Sequence, residues 1–186
     1  MSMAVWPDAL ASGCGVIGLA GALGVGMVFA HAGFVKLQHR HVMPGIVANY
    51  RLLPEALVGI LAGALPVVEL AIGLALLAGG LRLAVLPAAL LLIAFAGAMA
   101  INLRRGRSHI DCGCGRPDLR ETLRWSLVVR NLVLAAIVLT RLVPAAPAGP
   151  LDLAAAIAGG LGLFLITLLF NAIGALAASP LAAKRS

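Results

Sequence analysis

The chain has 186 residues, of which 62% are hydrophobic and only 11% charged. Soluble domains carry about 25% charged residues, so a water-soluble globular fold is excluded, and the apolar runs reach the roughly 20 residues that a bilayer span needs. The formal net charge of +7 is loop charge in such a protein, and 4% aromatic content leaves no stacking platform for nucleic acid.

The composition predicts an all-α integral membrane protein, a bundle of four to five transmembrane helices embedded in the lipid bilayer. Residues 1–13 are a lead with Trp6, Pro7 and Asp8 and no basic residue. A secretory signal places positive charge before its apolar core, so this lead is expected to be retained. A four-span core is expected over residues 14–143, a fifth span over 151–177 and a basic tail over 178–186.

The first span runs from about residue 14 to residue 35. Gly15, Gly18, Gly21 and Gly24 recur at every third position, and small residues on one face let helix backbones approach closely in lipid. Lys36 ends the span and is expected to snorkel toward the headgroups. The loop that follows carries His39, His41 and Tyr50. Its middle, residues 42–53, suits a short interfacial helix with Tyr50 at headgroup level.

The second span covers residues 57–79 and contains Pro66 and Glu69. At 1.5 Å rise per residue Glu69 lies about 18 Å below Leu57. A charged, unpaired carboxylate at that depth costs at least about 2.5–3.5 kcal/mol, so Glu69 must be protonated, paired or turned to a polar cavity. Two readings stand side by side: a packing hydrogen bond, and a proton- or quinone-linked site. Gly79-Gly80-Leu81-Arg82 is a tight turn, and the third span follows over residues 83–103, with Pro87 in its first turn, where proline is tolerated.

Arg104-Arg105-Gly106-Arg107 ends that span and opens a loop, residues 104–124, in which His109-Ile110-Asp111-Cys112-Gly113-Cys114-Gly115 holds two of the three cysteines. Cysteines two apart can close a disulfide if the middle residue bends sharply. Gly113, free of a Cβ, can do so, and Gly115 extends the freedom. A ring this small is expected to be strained, and strained, exposed disulfides are the labile or catalytic ones. Arg104, Arg105, Arg107 and Arg116 would stabilise a thiolate, Asp111 opposes them, and His109 is a nearby proton carrier. Cys112 and Cys114 are therefore the candidate catalytic pair of a thiol–disulfide oxidoreductase, with a redox-active disulfide in place of a firmly bound cofactor. A static crosslink is a rival reading. Zinc is another, but His109, Cys112 and Cys114 give three ligands at an unusual spacing and need Asp111, His39 or His41 as a fourth.

Pro117-Asp118 is expected to start a helix whose basic face repeats at Arg116, Arg120 and Arg124, with Trp125 marking the membrane boundary. The fourth span, residues 125–143, carries Arg130 about 7 Å below Trp125. Arg130 is expected either to pair with Glu69 or to snorkel toward the loop. Residues 144–150 form a proline-alanine turn before the fifth span.

Five spans place the first loop, the cysteine loop and the basic tail on one membrane face. Cys14 lies at the other, about 30 Å of hydrocarbon away, so the partner thiols must come from another molecule. Nearly all loop Lys and Arg residues share the cysteine face, which by the positive-inside rule is cytoplasmic.

Gly33-Phe34-Val35-Lys36, Leu53-Pro54, Pro66 with Glu69, and above all Asp111-Cys112-Gly113-Cys114-Gly115 resemble the methylamine utilisation protein MauE family, which is similar in turn to DoxX-like four-helix membrane proteins. The resemblance covers roughly residues 24–139. It implies a bacterial cytoplasmic-membrane protein needed for maturation of the small (β) subunit of periplasmic methylamine dehydrogenase, a disulfide-rich client, with the thioredoxin-like MauD as redox companion. It also implies a cysteine loop facing the periplasm, against the charge bias. A cytoplasmic dithiol would need a relay across the bilayer, and the chain has no second membrane cysteine pair. A quinone-coupled DoxX-like oxidoreductase subunit and a non-catalytic scaffold or transporter are the alternatives.

Overall fold

The computed structural model describes residues 5–78, 82–113, 122–144 and 149–177, with side chains in the first helix from residue 15 onward. Cys114, Gly115, the arginines at 116 and 120, the 79–81 turn and the basic tail lie outside the described residues, as does the side chain of Cys14. The described chain is helical: α1 (Val5–Gln38), α2 (Met43–Asn49), α3 (Glu55–Leu77), α4 (Val85–Arg104), α5 (Trp125–Leu139) and α6 (Pro150–Ala177), with 3₁₀ turns at Arg82–Ala84 and Thr140–Leu142. All but α2 are long and apolar enough to cross a membrane, and the chain is a multi-pass membrane protein. The helix α1 begins at Val5, inside the stretch expected as a lead.

These helices are apolar all round, as helices in lipid are. The buried side of the bundle joins Val25 and Phe29 of α1 to Ile72 and Leu76 of α3, Ala88 and Leu92 of α4, and Leu134 and Val138 of α5. Ile60, Leu90 and Ile166 point outward and are about two-thirds exposed, at 68%, 67% and 66%. In water such a surface would drive association; in a bilayer it is the solvent-facing side.

Helix α1 is central, packed along both α3 and α6, while α4 pairs with α5. Glycine sets the α1–α3 spacing. A Cβ on Gly33 would stand 2.7 Å from the Leu70 nitrogen and the Pro66 carbonyl oxygen, and one on Gly73 would stand 2.5 Å from the Ala30 nitrogen. Real side chains do not approach that closely, so only glycine lets these backbones touch. Asn131 and Thr167 are buried polar groups that satisfy themselves locally, donating to the Leu127 and Leu163 carbonyls four residues back.

The cysteine face departs from expectation at one point. Within the described residues, Thr122 to Arg124 does not continue a helix into the fourth span. Thr122 pairs with Asp111 as an antiparallel bridge, the Leu123 N–H donates to the Ile110 carbonyl at 3.2 Å, and Arg124 is extended at φ −141°. Burial explains this: Ile110 and Leu123 both enter an apolar cluster with Leu127 and Val128, and extended pairing delivers both side chains inward.

Candidate functional site

The bridge ties the two ends of the cysteine loop together, and Cys112 follows directly from it. The bend comes at Gly113, with φ +71°, a conformation that costs an L-residue about 1–2 kcal/mol. Asp111 Oδ1 accepts the Gly113 N–H at 2.9 Å, closing the local turn that short acidic side chains favour. Asp111 thus shapes the turn.

Two elements brace it. The Tyr50 hydroxyl donates to the Cys112 carbonyl at 3.1 Å, so Tyr50 is seated on the cysteine turn. Arg107 donates to the Asn49 and Tyr50 carbonyls at 2.7 and 3.4 Å and to Asn102 Oδ1 at 3.0 Å. Its guanidinium therefore staples the end of α2 to the end of α4. Residues 42–53 do contain the expected short helix, as α2, and Ile46 on it meets Gly113: a Cβ there would stand 2.9 Å from Ile46 Cγ2. His109 is exposed on the loop, and His39, just past the end of α1, has its Nδ1 3.0 Å from the Val35 carbonyl in that helix's last turn.

Gly113→Ala is accordingly expected to lower stability by roughly 1–2 kcal/mol from backbone strain alone, with the Ile46 contact added. Thermal unfolding in detergent measures it. Ile46→Ala placed on top should recover only the steric share.

Cys112 is not exposed as the strained-disulfide argument expects. It is 7% accessible and packs with Ala96, Met99, Ile110, Leu123 and Leu127. Below it lies a cavity of about 130 Å³ whose wall includes Met43, Tyr50, Phe95, Met99, Cys112 and Lys36. A second, smaller cavity of about 40 Å³ adjoins, lined among others by Lys36, Glu69, Phe95, Arg130, Asn131 and Asn171.

Glu69 is 1% accessible, and its ion pair is with Lys36, not with Arg130. Lys36 does not snorkel. Side chains tilt toward the N-terminus of their helix, so Lys36 on α1 leans down into the membrane while Glu69, on the antiparallel α3, leans up toward the cysteine face. The close Gly33 contact beside Pro66 and Leu70 lets the two meet. The Lys36 Nζ also lies 5.2 Å from the centroid of the Phe95 ring. Arg130 instead donates to Asn171 Oδ1 on α6 and lies 5.9 Å from the Phe170 ring centroid. Glu69 and Arg130 still share the smaller cavity. The signal for the true partner was in the sequence: Gly33 and Lys36 stand one helical turn apart, as do Pro66 and Glu69.

The model of the family described as methylamine utilisation protein MauE matches residues 14–144. The chain is 41% identical to the methylamine utilization protein MauE of Paracoccus denitrificans over 162 residues, covering 85% of this chain and 87% of the relative. It is 45% identical to the protein of that name from Methylorubrum extorquens over 153 residues, 75% of this chain and 78% of the relative. With that of Paracoccus versutus it shares 41% identity over 155 residues, 81% and 83% of the two chains. No solved structure matches the chain.

Proposed function

The chain belongs to the methylamine utilisation protein MauE family, and from that premise we propose that it is an inner-membrane protein that matures the β subunit of a periplasmic methylamine dehydrogenase by thiol–disulfide exchange at Cys112 and Cys114. The observation that carries this is the turn itself. Gly113 at positive φ, the Asp111 cap and the pairing at Thr122 form a bend suited to bringing cysteines two residues apart within bonding range. The cysteine face opens to the periplasm, where the client is.

In the direction that oxidises a client, a client thiolate attacks one sulfur of the Cys112–Cys114 disulfide and the other sulfur leaves as thiolate. A second client thiolate then attacks the mixed disulfide, forming the client's disulfide and leaving the chain with two thiols. Cys112 is covered by α2, α4 and α5 side chains, so exchange with a protein begins at Cys114, and Cys112 is the leaving sulfur. A thioredoxin-like companion of the MauD type is the redox partner that stands between chain and client, or acts beside it.

Trapping tests the assignment. A Cys112→Ser chain, with Cys114 as the sole thiol of the pair, is expected to accumulate a mixed disulfide with the companion or client, visible on non-reducing gels and lost on reduction. Cys114→Ser is expected to trap at least about tenfold less, because a covered sulfur exchanges slowly. Equal trapping by both would refute the order, and trapping by neither would refute exchange at this pair.

A further inference from the structure

If the pair oxidises its client, it ends each cycle as a dithiol and needs a two-electron acceptor. The chain holds three cysteines, and the third, Cys14, lies near the opposite end of α1. The acceptor is therefore a separate molecule. We propose that it is a membrane-soluble quinone whose ring enters the cavity beneath Cys112; this rests on the exchange reading above.

Four features of the cavity argue for a quinone. Its volume of about 130 Å³ is close to the roughly 150 Å³ of an apolar cavity that takes up benzene, so it holds one six-membered ring. Its lining is aliphatic and aromatic with few polar groups, the usual make-up of a small-ligand site. Cys112, shielded from water, and Lys36, buried in the last turn of α1, are both on its wall. Finally, Leu52, Leu53 and Leu61 line it as well and are 37%, 38% and 39% exposed, which gives the cavity an apolar lip on the lipid side, where an isoprenoid tail can trail.

The chemistry balances within these parts. The dithiol gives up two electrons and two protons, the Cys112–Cys114 bond forms, and the quinone leaves as quinol. The Lys36 ammonium is a hydrogen-bond donor for a ring oxygen as negative charge develops on it. Glu69, paired with Lys36 from the other side, holds that ammonium at the wall. A hydrophilic oxidant would find neither the entrance nor the lining favourable. The two cysteines would then divide the work, Cys114 exchanging with proteins and the buried Cys112 meeting the quinone from within the membrane.

The test uses the full chain, reduced, in nanodiscs of quinone-free phospholipid, with a short-tailed ubiquinone analogue as oxidant. The expected result is one quinol formed for each two thiols lost. Ala98→Phe on α4 and Val47→Phe on α2, both filling the cavity, should slow this by about tenfold or more, equivalent to about 1.4 kcal/mol. Exchange with glutathione disulfide in water should be little changed in the same variants. Two variants on different helices, each checked for a wild-type melting temperature, keep the result readable if one misfolds. In Cys112→Ser/Cys114→Ser, a photoreactive azidoquinone should label α2 or α4 and be competed by unlabelled quinone. Thiols that exchange with glutathione disulfide but are untouched by quinone overturn the quinone site and leave the exchange reading standing. Oxidation by quinone without any disulfide exchange overturns the exchange reading alone. Labelling that quinone does not compete marks the cavity as an acyl-chain slot and overturns the proposal.

Discussion

Replacing Glu69 by Gln, or Lys36 by Met, is expected to destabilise the bundle by about 3–5 kcal/mol, because each leaves a buried partner without its counter-charge. The two side chains are 7% and 1% accessible and lie within spans α1 and α3, where water cannot compensate. The double variant Lys36→Met/Glu69→Met removes both charges and keeps the volume filled. It is expected to recover most of the loss, since a buried ion pair and a well-packed apolar pair of similar volume differ little in stability. Equilibrium unfolding in mixed micelles reads all three. The quinone proposal adds a second consequence: the recovered double variant folds but reoxidises slowly, because its cavity has lost the cation on its wall. Additive losses in the double variant would show that Lys36 and Glu69 do not act on each other.

Cys112→Ser/Cys114→Ser is expected to abolish maturation of the dehydrogenase while leaving the membrane protein intact. Serine is close in size to cysteine, so the turn at Gly113 with its Asp111 and Tyr50 hydrogen bonds should form as before. What is lost is the sulfur, and a hydroxyl neither forms nor exchanges a disulfide. In cells whose only copy is this variant, active methylamine dehydrogenase should fall to the level of a strain lacking the chain, with the β subunit recovered in reduced form. The variant's abundance in membranes should match wild type. A scaffold or transporter would keep its function after this double change, so the two classes separate cleanly.

Much of this molecule was readable from the residues. Five apolar segments announce five spans because in lipid the whole helix surface is apolar, and composition alone marks it. The bend at Gly113 was readable because a Cys-Gly-Cys turn asks for positive φ at its centre, and φ +71° is what the chain adopts. The partner of Glu69 was missed, although the one-turn spacings of Gly33 to Lys36 and of Pro66 to Glu69 carried a signal for it. Depth counted along the spans made Arg130 a candidate, whereas the pair is decided by which backbones touch and by the tilt of side chains toward each helix N-terminus. Lys36 qualifies on both grounds, and Arg130 is drawn to Asn171 on α6.

The loop was only partly legible. The helix start expected at Pro117-Asp118 lies outside the described residues, while residues 122–124, expected to carry that helix into the fourth span, are extended because Ile110 and Leu123 share one apolar cluster, a tertiary demand invisible in local propensity. Arg107 is near the cysteines in sequence, but its hydrogen-bonding role was not readable there. Its targets, the Asn49 and Tyr50 carbonyls, lie more than fifty residues away along the chain. The cavity beneath Cys112 belongs to no segment, since α1, α2, α3 and α4 all contribute to its wall, and nothing short of the packed bundle reveals it.

The central claim is that Cys112 and Cys114 cycle between dithiol and disulfide in the living membrane. Acid quenching of methylamine-grown cells, followed by alkylation with a mass-shifting thiol reagent, reads the state of the pair directly. A mixed population is expected, moving toward disulfide when the β subunit is deleted and toward dithiol when the quinone pool is held reduced. A pair locked in one state, indifferent to both client and quinone, would contradict it.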